Sequence, residues 1–172
     1  VKGIPAMQIT GPWELSFPAN WGAPDHLTLD KLMSWTEHND PGVKYYSGTA
    51  TYRKNILVPP ELLGKNRRLC LDLGNVQVMA QVKLNGEDLG ILWNPPFRVD
   101  ITTVVKPGEN ALEIVVANVW ANRLIGDMLL PAEKRITQGG VKLEQNAPLA
   151  ESGLLGPVRI AIGERAEVVF SQ

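Results

Sequence analysis

The stretch Val76-Gln77-Val78-Met79-Ala80-Gln81-Val82-Lys83-Leu84-Asn85-Gly86 decides the fold class. Val76, Val78, Ala80, Val82 and Leu84 alternate with Gln77, Met79, Gln81 and Lys83. Successive side chains of a strand point to opposite faces, so this spacing predicts a strand buried on one side. It runs directly into Asn85-Gly86. Both residues tolerate the positive φ that a two-residue hairpin turn demands. A return strand over Asp88 to Leu92 follows from the turn.

The same period recurs on either side. Leu69, Leu71 and Leu73 form one alternating set, and Leu112, Ile114 and Val116 another, entered through the turn Lys106 to Asn110. Ala50, Tyr52, Ile56 and Val58 share a face on which Lys54 is the exception. Trp13 to Phe17 reads as an opening strand, and Val158 to Ile162 and Ala166 to Phe170 as two closing strands. Two long segments rich in Gly and Pro, 18–47 and 124–153, read as loops. Asp30 to Trp35 is a candidate short helix with Asp30 as its cap. Many short strands separated by turn signals, with no long helical repeat, indicate an all-β sandwich or barrel. Long loops in such a scaffold are the natural place for a binding surface.

The 172 residues fit one domain with long loops, and 44% hydrophobic against 20% charged residues supports a packed core rather than disorder. The formal charge of −1 leaves only Lys65-Asn66-Arg67-Arg68 as a basic run, which reads as a solvated turn. Nucleic acid is therefore not an expected partner. No apolar run reaches the ~20 residues of a membrane helix, so no membrane partner is expected. The chain begins at Val1 without a signal peptide, which reads as an excerpt or processed product. Cys70, the one cysteine, sits among alternating leucines as a buried thiol and has no internal disulfide partner.

Several chemistries lack their residues. There is no phosphate-binding glycine loop, no zinc motif and no nucleophile elbow. His26 and His38 lie 12 apart in a segment read as loop and are taken as exposed loop residues. Glycoside hydrolysis needs two carboxylates flanking one bond, and among the 18 acidic residues the sequence picks out no pair. No catalytic residue is assigned, and no cofactor is expected. A structural calcium ion is the alternative that loops of this kind could serve, though no calcium-loop pattern is present.

Sugar recognition does find its materials. Rings stack on the apolar faces of pyranoses, and planar amide, carboxylate and guanidinium groups pair with hydroxyls. Five residues are tryptophan. Trp13 and Trp120 lie in strand contexts and are assigned to the core. Trp93, at a strand end in Leu92-Trp93-Asn94-Pro95-Pro96-Phe97, is the leading stacking platform, with Asn94 beside it and Trp35 next in order. A second cluster, Asn118, Asn122, Arg123 and Asp127, leaves a strand and enters a long loop. It reads either as a polar patch for hydroxyls or a partner domain, or as a buried network anchoring the loop, with Arg123 paired to Asp127.

Several motifs carry a resemblance. Tyr45 to Lys54, Leu71-Asp72-Leu73-Gly74, Ala80 to Gly90 and Pro96-Phe97-Arg98-Val99-Asp100-Ile101-Thr102 resemble the galactose-binding-like, sugar-binding domain of family 2 glycoside hydrolases, the β-galactosidase and β-mannosidase group. Asn118 to Asp127 and Ser152-Gly153-Leu154-Leu155-Gly156-Pro157-Val158 look more like the C-terminal sandwich of family 106 α-L-rhamnosidases. The resemblance spans residues 12–163. It implies a jelly-roll sandwich, the whole chain being one domain of a larger secreted or periplasmic polysaccharide-degrading enzyme. The catalytic carboxylates of such enzymes lie on a separate barrel domain. The implied role is a non-catalytic carbohydrate-binding or structural domain, with carbohydrate and that barrel as partners. The alternatives are the sugar-binding domain of a β-galactosidase or β-mannosidase type of hydrolase, and an interaction sandwich with no ligand.

Overall fold

The alternating stretch builds two strands rather than one. The computed structural model describes residues 6–137 and 147–164. In chain order the elements are β1 (Met7–Gln8), β2 (Trp13–Ser16), β3 (His26–Leu29), α1 (Pro41–Lys44), β4 (Thr49–Val58), β5 (Arg67–Asp72), β6 (Asn75–Gln77) and β7 (Met79–Leu84). They continue with β8 (Glu87–Leu92), β9 (Arg98–Asp100), β10 (Gly108–Ala117), α2 (Ala121–Met128), β11 (Gly153–Gly156) and β12 (Arg159–Glu164). Val78 divides the predicted strand, because β6 pairs with β11 whereas β7 pairs with β10. At that handover the Val78 side chain turns partly outward, while Val76, Ala80, Val82 and Leu84 stay buried.

The hairpin forms where expected. Asn85 and Gly86 take φ of 54° and 86°, and Leu84 pairs with Glu87 across the turn. Nothing stands within 4 Å of a Cβ built on Gly86, so the glycine is required by its backbone angle and not by space. Asn85 does more than turn. Its Nδ2 donates to the Val104 carbonyl (2.9 Å) and to Asn110 Oδ1 (2.8 Å), while its Oδ1 accepts from Ala111 N (3.1 Å). Asn110 is fully buried and bridges Lys106 N, Lys106 O and Gly108 O at 2.8–3.0 Å, which closes the turn into β10.

Strand pairings are antiparallel throughout the sheets, ordered β3-β2-β4-β10-β7-β8, β1-β12-β5-β9 and β11-β6. Inward residues line up across the three central strands of the larger sheet. Tyr52 opposes Ile114, which opposes Val82, and Ala50 opposes Val116, which opposes Ala80. Leu69, Leu71 and Ile160 of the four-stranded sheet share one buried cluster with them. This is the all-β sandwich that the alternation implies. Lys54, the polar exception on β4, stays at the margin of the core. Its ammonium donates to the Pro12 carbonyl at 2.7 Å and lies 5.5 Å from the Trp13 ring centroid.

The loops depart further from expectation. Residues 30–34 form no helix. The helix of this segment is α1, where Asp40 Oδ1 accepts from Gly42 N at 2.7 Å and Pro41 opens the first turn. A proline pre-set for the first helical position is a stronger start signal than Asp30 alone. A 3₁₀ turn, Trp35–Glu37, precedes it. His26 lies exposed on β3 rather than in a loop. The expected strand over Ala166 to Phe170 lies outside the described residues. Within 124–153 the chain first continues α2, which carries the polar cluster into the protein.

The smaller sheet is tied by charge as well as by packing. Asp72 sits between its two strand partners, Arg98 of β9 and Arg159 of β12. Its Oδ2 accepts from Arg98 Nε at 3.0 Å and Arg159 Nη2 at 2.9 Å, and its Oδ1 from Gly74 N at 3.0 Å. Burial pushes this carboxyl up, and the hydrogen bonds from Gly74, Arg159 and Arg98 outweigh it, leaving Asp72 below the usual range.

Candidate functional site

The five tryptophans divide by exposure. Trp13 and Trp35 are each 1% exposed, whereas Trp21, Trp120 and Trp93 are 40%, 64% and 71% exposed. Trp35 therefore offers no accessible ring face, which corrects its reading as a stacking platform. Its indole packs edge-on against Phe17 (6.0 Å between centroids) and Tyr46 (5.5 Å) and is stacked with Tyr52 (6.5 Å). Its Nε1 donates to the Tyr52 hydroxyl at 2.6 Å. Trp120 is corrected in the opposite sense. Strand β10 ends at Ala117, so the alternation that buries Val116 no longer governs Trp120, which stands at the start of α2.

Trp93 and Asn94 stand exposed on the turn between β8 and β9. The Asn94 amide makes one long hydrogen bond to the Pro95 carbonyl at 3.4 Å.

A concave site lies elsewhere. Trp21, from the loop after β2, and Trp120 both line a cleft of about 430 Å³, together with Pro18, Leu124, Arg123 and Thr137. The segment between α1 and β4 supplies part of its wall, including Ser47 and Gly48. Trp21 is held by a hydrogen bond from its Nε1 to the Ser47 carbonyl. Gly48 has φ of 144°, and a Cβ there would come within 2.9 Å of the Tyr46 hydroxyl and 3.4 Å of Trp21 Nε1. The close approach of the backbone to these rings needs a glycine.

A buried polar network backs this wall. Asn118 Oδ1 accepts from Gly48 N (2.8 Å), and its Nδ2 donates to Tyr46 O (2.8 Å) and Ser152 Oγ (2.9 Å). Asn122 Nδ2 donates to Ala150 O at 2.7 Å, and its Oδ1 accepts from Ala150 N at 2.8 Å. Arg123 N donates to Ser47 Oγ at 2.9 Å. Arg123 and Asp127 form an ion pair one helical turn apart, Nε to Oδ1 3.1 Å, with side chains 6% and 4% exposed. Those two atoms are close but not aligned as a hydrogen bond. Asp127 Oδ2 accepts from Thr137 N (2.7 Å) and Thr137 Oγ1 (2.5 Å). Burial pushes the Asp127 carboxyl up, and the Thr137 and Ile136 hydrogen bonds with the Arg123 charge outweigh it, so it lies below the usual range.

The sequence left two readings of this cluster, and the geometry is the anchoring network. Asn122 and Asp127 face protein partners, not solvent, which removes them from direct contact with a ligand. Arg123 alone of the three lines the cleft. Close packing ties it in place: a Cβ on Gly126 would lie 2.6 Å from Arg123 Nη2 and 2.5 Å from Tyr45 Cβ, and one on Gly22 3.1 Å from Arg123 Nη1. The guanidinium thus packs between Gly22 of the first long loop and Gly126 of α2, while its ion-pair partner Asp127 ties in the segment at Thr137. Sequence reasoning missed Trp21 and Trp120 as site residues; their exposure depends on where β10 ends and α2 begins. Among the described residues no three His, Cys, Asp or Glu side chains converge to hold a metal ion.

Comparison with known proteins gives this geometry a context. A family model described as glycosyl hydrolase 2 galactose-binding domain-like matches residues 29–133. The solved structure of a rhamnosidase from Novosphingobium sp. PP1Y is 43% identical with a TM-score of 0.84, over 94% of this chain and 15% of that one. A putative beta-glucuronidase of Formosa agariphila is 38% identical over 187 residues, 94% of this chain and 16% of that protein. A beta-D-glucuronidase structure from Dictyoglomus thermophilum shares the fold at 20% identity and a TM-score of 0.67, over 96% of this chain and 29% of that one. The chain spans about one sixth of the first two relatives.

Proposed function

Because the chain belongs to the glycosyl hydrolase 2 galactose-binding domain-like family, we propose that it is a non-catalytic carbohydrate-recognition domain of a longer, rhamnosidase-like glycoside hydrolase. The observation that carries this reading is the set of exposed indoles. A chain that buries Trp13 and Trp35 completely leaves Trp21, Trp93 and Trp120 open to solvent, two of them on one cleft. Exposed aromatic rings of this kind are binding surface rather than core. The rhamnosidase-like parent draws on the 43% identity and the TM-score of 0.84 over nearly the whole chain.

Four of the carboxylates fit the non-catalytic part. A glycosidase acid needs a carboxyl whose pKa is raised so that it holds a proton near neutrality. Here Asp72, Asp88, Asp100 and Asp127 all lie below the ordinary value, each engaged by hydrogen-bond donors. Asp100 falls to about 2, chiefly through the Thr102 hydroxyl and amide. These carboxylates serve as structural acceptors.

A second surface favours a supporting share in the same role. Met79 opposes Ala117, and Ile91 opposes Gln81, on the outer face of the larger sheet, and both Met79 and Ile91 are exposed. Two exposed apolar side chains at this edge fit a contact with another part of the parent enzyme.

The test is turnover. The 172-residue chain incubated with 4-nitrophenyl α-L-rhamnopyranoside and 4-nitrophenyl β-D-glucuronide is expected to release nitrophenol no faster than buffer. Turnover that disappears when one Asp or Glu of this chain is replaced would overturn the reading.

A further inference from the structure

We propose that the cleft lined by Trp21 and Trp120 is a subsite for one neutral pyranose ring of the 6-deoxyhexose class. The inference rests on the carbohydrate-recognition reading and adds the place and the chemistry. Three observations converge on it.

The first is size and preorganisation. At about 430 Å³ the cleft lies at the small end of ligand sites, about 300–1,000 Å³. That suits one ring and not an extended chain. Its wall is fixed before any ligand arrives, through the Trp21 bond to Ser47, the Asn118 bonds to Gly48 and Tyr46, and the Arg123 amide bond to Ser47. A preformed wall spares the ligand the cost of ordering it.

The second is the character of the lining. Trp21, Trp120, Pro18 and Leu124 present carbon, and the polar contribution is confined to a few groups such as Thr137 and Arg123. A pyranose has an apolar face that stacks on an indole. A 6-deoxy sugar also carries a methyl group where other hexoses carry a hydroxymethyl. Enclosing that extra hydroxyl beside apolar side chains would strip its water without a compensating partner. The methyl group loses nothing there.

The third is charge. Arg123 is the one charged residue among the described residues of the cleft. Asp127, 3.1 Å away and held ionised, already balances it. Among the described residues no uncompensated cation faces the cleft to hold the carboxylate of a uronic acid. The cleft therefore selects against the acidic sugars named for the glucuronidase relatives.

The experiment uses the chain labelled with 5-fluorotryptophan and followed by fluorine NMR, each signal assigned by a single Trp→Phe variant. The probes are methyl α-L-rhamnoside, its 6-hydroxylated counterpart methyl α-L-mannoside, and methyl β-D-glucuronide. The rhamnoside is expected to shift the Trp120 and Trp21 signals saturably. The mannoside should bind about tenfold more weakly, the loss of roughly one buried hydrogen-bonding group. The glucuronide should leave both signals in place. Trp120→Ala should weaken rhamnoside binding about tenfold, the scale of one lost stacking contact. Its unfolding midpoint should stay at the parent value, because the ring is largely exposed. A rhamnoside response confined to Trp93, with Trp120→Ala without effect, would overturn the subsite while leaving carbohydrate recognition standing. Equal or tighter binding of the glucuronide at Trp120 would overturn the ligand class. Silence of every signal toward all three sugars would overturn both the subsite and the reading beneath it.

Discussion

Replacing Asp127 with alanine is expected to destabilise the fold by about 3–5 kcal/mol, read as a lower urea midpoint at unchanged slope. The size follows from what is left behind. Arg123 would keep its charge in a site where its side chain is 6% exposed, with its ion-pair partner gone. Thr137 would lose the acceptor of both its amide and its hydroxyl. The close packing of Gly22, Gly126 and Tyr45 around the guanidinium leaves it little room to reach water. The double variant Arg123→Met with Asp127→Leu removes both charges at once and should recover a large part of the loss. A cost below about 1 kcal/mol for Asp127→Ala would mean that the pair does not anchor the two loops.

Acid should act in the same direction. Asp127 and Asp72 lie below the usual carboxylate range in the folded chain, and Asp100 at about 2. The unfolded chain, with ordinary carboxyls near pH 4, therefore takes up protons first as the pH falls. The stability these groups contribute is present above the ordinary carboxyl range near pH 4 and is lost in the window below it, as the pH falls through each folded value, about 2 for Asp100. Parent protein and Asp127→Ala should converge in that window, because protonation has already removed what the mutation removes.

Tyr52→Phe is the second large effect, expected at about 2–4 kcal/mol for the loss of a single oxygen. The Tyr52 hydroxyl is fully buried and accepts from Trp35 Nε1 at 2.6 Å and from Leu154 N at 3.1 Å. Without it two buried donors from distant parts of the chain lose their acceptor, at about 1–3 kcal/mol each. Water cannot readily replace it. Gly153 packs so tightly here that even a Cβ on it would lie 2.6 Å from Trp35 Nε1. Burial also pushes the Tyr52 phenol well above its ordinary pKa, against the opposing hydrogen bonds from Leu154 and Trp35. The checks are a urea midpoint and the near-ultraviolet circular dichroism of the Trp35–Tyr52 stack. A variant within about 0.5 kcal/mol of the parent would mean that this hydroxyl is not the acceptor described.

These effects also show which parts of the molecule the sequence made legible. Strand β7, the β4 face and the Leu69-Leu71-Leu73 set obey a period of two because one side of each strand packs on carbon. Period reading succeeds where a regular strand buries carbon on one face, and breaks at Val78, where the pairing passes from one sheet to another. It fails at α2, whose inward side is built from Asn122, Arg123 and Asp127. A helix that buries a polar network leaves no hydrophobic stripe to read, although the four-residue spacing of Arg123 and Asp127 was a usable sign. Trp120 escapes strand parity because β10 ends at Ala117. Trp35 was misplaced because the chemistry flanking it is that of a loop, while its ring completes the core with Phe17, Tyr46 and Tyr52. Trp21 lies in the 18–47 segment read as a loop, but nothing local to it marks the cleft. Its role in the cleft comes from a hydrogen bond to Ser47, 26 residues further along the chain.

Carbohydrate recognition by this chain is the central claim. Isothermal calorimetry of the 172-residue chain against a panel of rhamnose-containing oligosaccharides and pectic glycans tests that claim most directly. Saturable binding of rhamnose-terminated ligands is expected at about micromolar to millimolar Kd. Flat titrations across the whole panel, on protein shown to be folded, would contradict it.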